Sequence, residues 1–232
     1  AFTATASNEV REDIVRILDL HNPEVYITGF DRENLSINIV KSSSKNRYTI
    51  DYVENHKNES GIIYAATRKE VETIYEGLLK RNYSVAKYHA GLSNEARKEY
   101  QESFINDDIK IMIATNAFGM GIDKADVRFV VHFSMCDSLE NYYQESGRAG
   151  RDGKRSYALL LVASDDEHKI VKRFDAEFPP LDDVKHIYEQ ICSYLQVAIG
   201  DGLYHSYVFN IHEFCSREKI YSGKVRAALK LL

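Results

Sequence analysis

Apolar segments alternate with amphipathic segments through residues 61–163, and this alternation restricts the fold more than any other feature of the sequence. The segments that read as buried strands are short, aliphatic and bounded by turn residues, and they lie at residues 61–66, 85–88, 109–113, 127–133 and 157–162. Between them, Thr67 with Glu70 predicts a capping box, and Ser93 predicts a second helix start. Strands that alternate with helices predict an α/β fold with a parallel sheet covered on both faces.

The residues before this region predict one helix, one strand and a further short helix. Ser7 is a candidate N-cap for a helix that ends near Leu20, with an apolar stripe at Val10, Ile14, Ile17 and Leu18. Alternation at residues 35–40 predicts a strand. A polar loop at residues 41–47 then precedes the short helix, which begins near Tyr48.

The pattern changes after residue 164, which divides the chain into predicted domains at residues 1–164 and 165–232. Pro179 and Pro180 interrupt a helical region, and an amphipathic helix follows them. Residues 207–209 predict a short β-like segment, and two helices joined by a turn follow. This small, mostly helical domain is compatible with a helix-turn-helix or winged-helix unit and equally with a plain helical buttress.

Composition excludes several classes of protein. The formal net charge of −5 argues against a protein that coats nucleic acid through positive charge alone. No apolar run is long enough to cross a bilayer, so no membrane partner is expected. The three cysteines, Cys136, Cys192 and Cys215, are widely separated and predict a reducing compartment without a zinc cluster.

Gln144, Arg148 and Arg151 form the most informative polar group. Their spacing of four and three residues would place all three side chains on one face if the stretch were helical. Two arginines held side by side repel each other, and few local carboxylates lie on the same face to relieve this repulsion. A guanidinium pair of this kind suits the phosphate oxygens of an external polyanion. The alternative is a loop with two solvated arginines.

The glycine-rich turn before this stretch extends the pattern. Ala114-Thr115 and residues 117–123, followed by residues 144–151, resemble motifs V and VI of the RecQ family of superfamily-2 DNA helicases more closely than those of DEAD-box RNA helicases. The resemblance implies that residues 1–164 are a RecA-like second motor lobe of the P-loop NTPase type. Residues 1–6 resemble motif III of these helicases, so we expect a segment cut from a longer enzyme. A processed terminus or a cloning scar is the alternative.

The resemblance implies a nucleotide site shared between two lobes. Arg148 and Arg151 would reach the γ-phosphate of ATP bound on the first lobe, with Arg151 as the arginine finger, and Gln144 would orient water or phosphate oxygens. Gly119, Gly121 and Asp123 match motif V, where the turn senses nucleotide and Asp123 could accept a hydrogen bond from the ribose. Asp123 could also simply cap a turn.

The resemblance also implies a single-stranded DNA path across the lobe. Thr115 and Asn116 follow a buried strand, at the edge of an α/β sheet where ligands bind. Arg68 and the segment from His89 to Gly91 follow two other strands and resemble motifs IV and IVa. His89 alone is also compatible with a structural role.

Two motifs are missing from this sequence. It contains neither G-x-x-x-x-G-K-[ST] nor D-E-x-H, so the phosphate loop and the Mg²⁺ ligands are expected on the first lobe. ATP with Mg²⁺ is therefore the expected cofactor of the whole enzyme, and this segment alone is expected to be inactive. No metal site is predicted here, and His212-x-x-Cys215 reads as a helix with a buried thiol.

The predicted function is that of the second lobe of an ATP-dependent DNA helicase. By resemblance it would move 3′ to 5′ and unwind duplex DNA in repair or recombination, with the upstream lobe, single-stranded DNA and duplex DNA as partners. The expected location is the cytoplasm, at the nucleoid in a bacterium. The alternatives are an RNA helicase, a non-unwinding translocase, a catalytically inactive nucleic-acid-binding module, and a helix-turn-helix regulator.

Overall fold

The computed structural model describes residues 6–27, 32–119 and 122–232. The chain forms two compact units, Ala1–Ser164 and Asp165–Leu232, each with its own hydrophobic core. Within the described ranges, no helix combines the length and the apolar character that a membrane crossing requires.

The first unit is built on a six-stranded parallel sheet. Its strands are β1 (Leu35–Lys41), β2 (Ser60–Tyr64), β3 (Val85–Tyr88), β4 (Ile111–Ala114), β5 (Val127–His132) and β6 (Ser156–Val162). They lie in the order β1-β6-β5-β2-β4-β3, and every neighbouring pair is parallel. The predicted α/β fold is therefore confirmed. All five residues of β2 are buried, as expected for a strand with neighbours on both sides and helices on both faces.

Helices accompany the strands, and three of them begin at capping residues that the sequence predicted. The first unit contains α1 (Asn8–Ile17), α2 (Lys45–Asn55), α3 (Arg68–Leu79), α4 (Asn94–Ile105) and α5 (Leu139–Ser146). Thr67 and Glu70 form the predicted capping box, and Ser93 accepts a hydrogen bond from the Ala96 amide at the start of α4. Side-chain oxygens at these positions satisfy amides that have no partner inside the helix.

Each face of the sheet carries its own apolar cluster. On one face, Val53 of α2 and Leu78 of α3 pack with Ile63 of β2. On the other, Phe104 of α4 and Phe118, from the turn after β4, pack with strand residues that include Ile62 of β2. Adjacent residues of β2 belong to opposite clusters because side chains alternate along a strand.

The centre of the sheet contains a close approach between Gly61 and Phe129. The two residues are paired in register on β2 and β5. A Cβ atom on Gly61 would lie 2.1 Å from two ring atoms of Phe129. The ring is fully buried and makes edge contacts with Tyr52 and His56 of the segment that covers this face. Glycine at position 61 is what allows the ring to lie across the strand.

Asp107 links two lysines at the amino edge of the sheet. Its Oδ1 accepts hydrogen bonds from Lys110 Nζ at 2.8 Å and Lys124 Nζ at 2.9 Å. The Lys124 side chain is only 3% exposed, and Asp126 is its second carboxylate partner, at 3.1 Å. Hydrogen bonds from Lys110 and then Lys124 lower the pKa of Asp107 to about 2.

We expect Asp107→Asn to lower the free energy of unfolding by about 1 kcal/mol at pH 7, discounted for the exposed part of the pair. The folded-state pKa lies below the ordinary 3.8, so the contribution is complete above about pH 4 and is lost as pH falls towards 2. Urea unfolding at pH 7 and at pH 3 measures the difference in the free energy of unfolding between wild type and variant, and Asp108→Asn is the control at the neighbouring position. A difference from wild type that is the same at both pH values would contradict the assignment.

The predicted first helix forms, but none of its apolar residues is buried within the described part of the chain. Ser7 caps it by accepting a hydrogen bond from the Val10 amide, and it ends at Ile17 rather than near Leu20. None of its residues is buried, and Val10 and Ile17 are exposed. The predicted strand β1 is confirmed as an edge strand of the sheet, with Ile37 and Ile39 exposed.

Three further sequence-based assignments need correction. Helix α2 begins at Lys45, inside the region predicted as a polar loop. Helix α5 ends at Ser146 and Gly147 caps it, so Gln144, Arg148 and Arg151 do not share one helical face. Residues 207–209 are not a strand: Phe209 packs against the rings of Tyr194 and Phe214, and none of the described residues pairs with this segment as a strand.

The second unit consists of four helices. They are α6 (Asp166–Glu177), α7 (Leu181–Leu195), α8 (Ile211–Glu218) and α9 (Ser222–Leu231). Their core contains Ile187 and Ile191 of α7, Phe214 of α8 and Val225 of α9. All of residues 165–232 are described and none is in a strand, so the unit lacks the hairpin that forms the wing of a winged helix.

Candidate nucleotide and nucleic-acid site

The loop that follows α5 carries Arg148 and Arg151, and its backbone is fixed to the sheet. The Gly150 amide donates to the Val127 carbonyl at 2.8 Å, and the Asp152 amide donates to the Ala125 carbonyl at 3.1 Å. These bonds hold the loop, residues 147–153, against the start of β5. The two arginines therefore project from a rigid support.

Arg32 and Asn34, which precede β1, hold the same loop from the other side. Arg32 donates to the Gly147 carbonyl at 3.0 Å and also to the Gly150 carbonyl. Asn34 Nδ2 donates to the Gly150 carbonyl at 2.7 Å and to the Lys154 carbonyl at 2.9 Å. Gly150 has φ +65°, and a Cβ there would lie 2.6 Å from the Asn34 amide nitrogen. Sequence reasoning missed both anchors because they are more than 110 residues from the loop.

Arg148 lies against the motif V turn. A Cβ atom on Gly119 would be 2.3 Å from Arg148 Nη2, so glycine leaves the space that the guanidinium occupies. Arg148 Nε is buried and has no hydrogen-bond partner among the described residues. Burial raises the pKa of Tyr64, and the nearby Arg148 guanidinium opposes this rise without cancelling it. The Tyr64 hydroxyl donates to the Phe118 carbonyl at 3.0 Å, which fixes the start of the turn.

Arg151 is more exposed and already pairs with an anion. Its Nη1 lies 3.1 Å from Asp123 Oδ1 and donates to the Ile122 carbonyl at 3.0 Å. The Arg151 side chain is 38% exposed and the Asp123 side chain is 91% exposed, so solvent weakens this ion pair. This carboxylate comes from the neighbouring turn and not from the arginines' own stretch of chain. A phosphate group could replace this carboxylate without first breaking a buried pair.

Two other residues were also predicted to act at the nucleotide site. Gln144 lies in the last turn of α5 with an exposed side chain. Gly121 lies outside the described residues. The structure thus brings together Arg148 with Gly119, and Arg151 with Asp123.

A buried polar group lies where β5 ends and α5 packs. His132 Nε2 is 3.0 Å from Glu145 Oε2, and the Cys136 thiol donates to the same oxygen at 3.3 Å. These three side chains have metal-ligand chemistry and their ligand atoms lie within 4.8 Å of one another. Hydrogen bonds already account for the contacts, and they fix the last turn of α5. Sequence reasoning missed this group because its members lie on a strand, a loop and a helix.

The carboxyl ends of β2, β4 and β3 bring the predicted DNA residues to one edge of the sheet. Arg68 is the exposed first residue of α3, and its Nη1 lies 3.1 Å from the position of a Cβ on Gly91. The Thr115 amide donates to the Tyr88 carbonyl at 3.1 Å, which ties the ends of β4 and β3 together. Thr115 is almost buried, whereas Asn116 is exposed. This edge therefore presents a guanidinium, an amide side chain and glycine backbone to a ligand.

His89 has a different role from the one its position suggests. The side chain is buried, its Nε2 lies 2.9 Å from Glu72 Oε1, and its Nδ1 accepts the Gly91 amide hydrogen at 3.1 Å. Both ring nitrogens are therefore used inside the protein. The imidazole is placed to fix the loop that follows β3, and the exposed loop backbone is the part that a phosphate could contact.

Comparison with known proteins gives consistent matches. The family described as "Helicase conserved C-terminal domain" matches residues 44–153. The ATP-dependent DNA helicase RecQ of Bacillus subtilis is 48% identical over 174 residues, which cover 75% of this chain and 29% of that protein. The RecQ-like DNA helicase BLM of Xenopus laevis is 43% identical over 182 residues, which cover 76% of this chain and 13% of that protein. The chain thus spans less than a third of the length of these curated relatives.

Solved structures agree on the fold. The structure of S. cerevisiae Dbp5 bound to RNA and ADP BeF3 superposes with a TM-score of 0.62 at 22% sequence identity. The match covers 75% of this chain and 47% of that one. At this identity the likeness supports the RecA-like α/β fold.

Proposed function

Because this chain belongs to the RecQ family of helicases, of which it carries the second RecA-like lobe, we propose that it supplies Arg148 and Arg151 to ATP bound on a first lobe. The observation that carries the proposal is the anchored loop at residues 147–153. It holds Arg148 beside the motif V turn, and it holds Arg151 in a solvent-weakened pair with Asp123.

The chemistry follows from the charge that develops on the transferred phosphoryl group. ATP with Mg²⁺ supplies the reacting phosphates, and the proposal assigns the metal ligands to the first lobe. Residues of this lobe contribute positioned cations, which stabilise charge most when they need not reorganise. Arg148 meets this condition because its guanidinium is packed against Gly119. Arg151 would exchange the exposed Asp123 carboxylate for phosphate oxygens, and Gln144 would orient water on the same side.

For DNA, we propose that the sheet edge with Arg68, Gly91, Thr115 and Asn116 grips one strand by its phosphates. A guanidinium and a side-chain amide bind phosphate oxygens without reading base sequence, and Gly91, which has no side chain, lets the strand come close. Closure of the two lobes on ATP and reopening after hydrolysis would alternate this grip and move the enzyme along DNA. A protein that unwinds DNA in repair or recombination would work in the cytoplasm, and in a bacterium it would be found at the nucleoid.

The test uses the full-length protein with tailed duplexes of DNA and of RNA. We expect ATP-dependent unwinding of DNA that carries a 3′ single-stranded tail, and little with a 5′ tail. Preference for RNA duplexes would favour an RNA helicase, and ATP turnover without strand separation would favour a translocase. No ATP turnover at all would indicate a catalytically inactive binding module.

We expect Gly119→Ala to lower the kcat of ATP hydrolysis by about 10-fold, because the new methyl group would lie 2.3 Å from Arg148 Nη2 and push the guanidinium aside. Gly119 does not need the left-handed region, so the backbone tolerates alanine and the guanidinium moves instead. A coupled ATPase assay on the full-length protein measures kcat. The control is Gly77→Ala in α3, whose Cβ would have 3.9 Å to its nearest neighbour. If the two variants had the same kcat, the assignment of Arg148 to the ATP site would be wrong.

A further inference from the structure

A chain of three hydrogen bonds connects α3 to the loop after β3. Glu72 Oε2 lies 2.6 Å from Lys87 Nζ, and Glu72 Oε1 lies 2.9 Å from His89 Nε2. His89 Nδ1 in turn accepts the Gly91 amide hydrogen at 3.1 Å. The exposed end of this chain is the backbone of Gly91, beside Arg68 at the proposed phosphate-binding edge.

These contacts determine which tautomer His89 adopts. A backbone amide can only donate, so Nδ1 must accept and Nε2 must carry the proton, which it donates to the Glu72 carboxylate. The other tautomer would point an N–H group at the Gly91 N–H. His89 is 5% exposed, so water could not compensate for that mismatch.

The Glu72 carboxylate stays charged in this position. Burial acts to raise its pKa, but hydrogen bonds from Lys87 and His89 outweigh burial and lower the pKa below its ordinary value. Lys87 also lies over the ring of Tyr75, 4.7 Å from its centroid, which keeps the ammonium group next to the carboxylate. Glu72 and Arg68 are four residues apart on α3 and therefore share one side of that helix.

We propose that Glu72 is a positioning residue for the phosphodiester backbone of DNA. Acting through His89, which accepts the Gly91 amide hydrogen, it fixes the loop beside Arg68 in the conformation that contacts phosphate. The inference rests on the proposed function, since it needs this edge of the sheet to bind DNA. Glu72 itself does not contact the ligand.

The test measures DNA-stimulated ATP hydrolysis by the full-length protein as single-stranded DNA is titrated at saturating ATP. We expect Glu72→Ala to raise the DNA concentration for half-maximal stimulation about 10-fold, because His89 Nε2 loses the carboxylate that accepts its proton and holds the ring in place. The effect should lie in that concentration and not in kcat at saturating DNA. The control is Glu76→Ala, an exposed carboxylate one turn further along α3, which should match wild type.

Two substitutions of His89 separate positioning from packing. Asparagine places an acceptor near the position of Nδ1, and glutamine places polar atoms near the position of Nε2. We expect His89→Asn to bind DNA at least about 3-fold more tightly than His89→Gln, because only asparagine can accept the Gly91 amide hydrogen. Urea unfolding identifies variants that fail to fold. If Glu72→Ala is one of them, Glu72→Gln, which keeps the shape of the side chain but removes its charge, is measured in its place and should raise the same DNA concentration by a smaller factor.

The outcomes distinguish this inference from the proposed function. Wild-type protein without DNA-stimulated ATP hydrolysis would overturn the proposed function. Active wild type with an unchanged half-maximal DNA concentration in a folded Glu72→Ala variant would overturn only the role of Glu72. Equal DNA binding by His89→Asn and His89→Gln would also overturn it, since packing alone does not distinguish the two ends of the ring.

Discussion

Arg151→Ala in the full-length protein is expected to lower the kcat of ATP hydrolysis by about 10³-fold, the lower range for an arginine that stabilises phosphoryl transfer. The affinity for single-stranded DNA should stay within about twofold, because Arg151 lies on the loop after α5 and not at the sheet edge with Arg68. ATP turnover at saturating DNA and fluorescence anisotropy of labelled DNA measure the two quantities.

The control for this experiment is Arg155→Ala. Arg155 is four residues away and donates to the Ser36 hydroxyl on β1 at 2.7 Å, so its removal tests the loss of an arginine outside the proposed site. Arg151→Lys keeps the charge but lacks the planar fork, and it should recover only part of the activity. ATP hydrolysis by Arg151→Ala at the wild-type rate would refute the arginine finger.

The largest expected effect on stability is that of Gly61→Ala. The added methyl group would meet the Phe129 ring at 2.1 Å in the fully buried centre of the sheet. Strand β2 has neighbours on both sides and cannot shift, so the ring would have to move against Tyr52 and His56. We expect the free energy of unfolding to fall by about 3 kcal/mol, at the upper end for overpacking a core.

A second substitution shows whether the clash is the cause. Phe129→Leu shortens the side chain beside position 61, so Gly61→Ala should cost less in that background than in wild type. Urea unfolding of the four proteins, followed by circular dichroism, gives the coupling free energy. Gly77→Ala serves as the control and should be neutral or slightly stabilising, since alanine is favoured within a helix. Additive effects at Gly61 and Phe129 would show that the two sites are independent.

The features that were predicted correctly from the sequence depend on residues that lie close together along the chain. Thr67 and Glu70 are three residues apart, and their capping box forms as expected. The buried strands follow from short aliphatic segments, and their parallel arrangement follows from the helices between them. Periodicity also identified the apolar residues of α1, but it cannot show what covers them. In the described part of the chain none of them is buried.

The features that sequence reasoning missed are contacts between distant residues. Glu72 and His89 are 17 residues apart, so a histidine at a strand end resembled a ligand when it is held inside the protein. The pairing of Arg151 with Asp123 spans 28 residues and changes the electrostatics of the arginine loop. In each case the motif indicated which segments carry the chemistry, whereas the partner of each side chain depended on the three-dimensional packing.

The anchoring of the arginine loop by Arg32 and Asn34 has a consequence for the order of folding. These contacts join residues 115 to 120 positions apart, whereas the helix caps join residues three apart. Bringing distant residues together costs conformational entropy of the chain before the contact contributes any stabilisation, so such contacts tend to form late. A nascent lobe would therefore acquire its sheet and helices before its arginines are fixed, and catalytic competence would be among the last properties to mature.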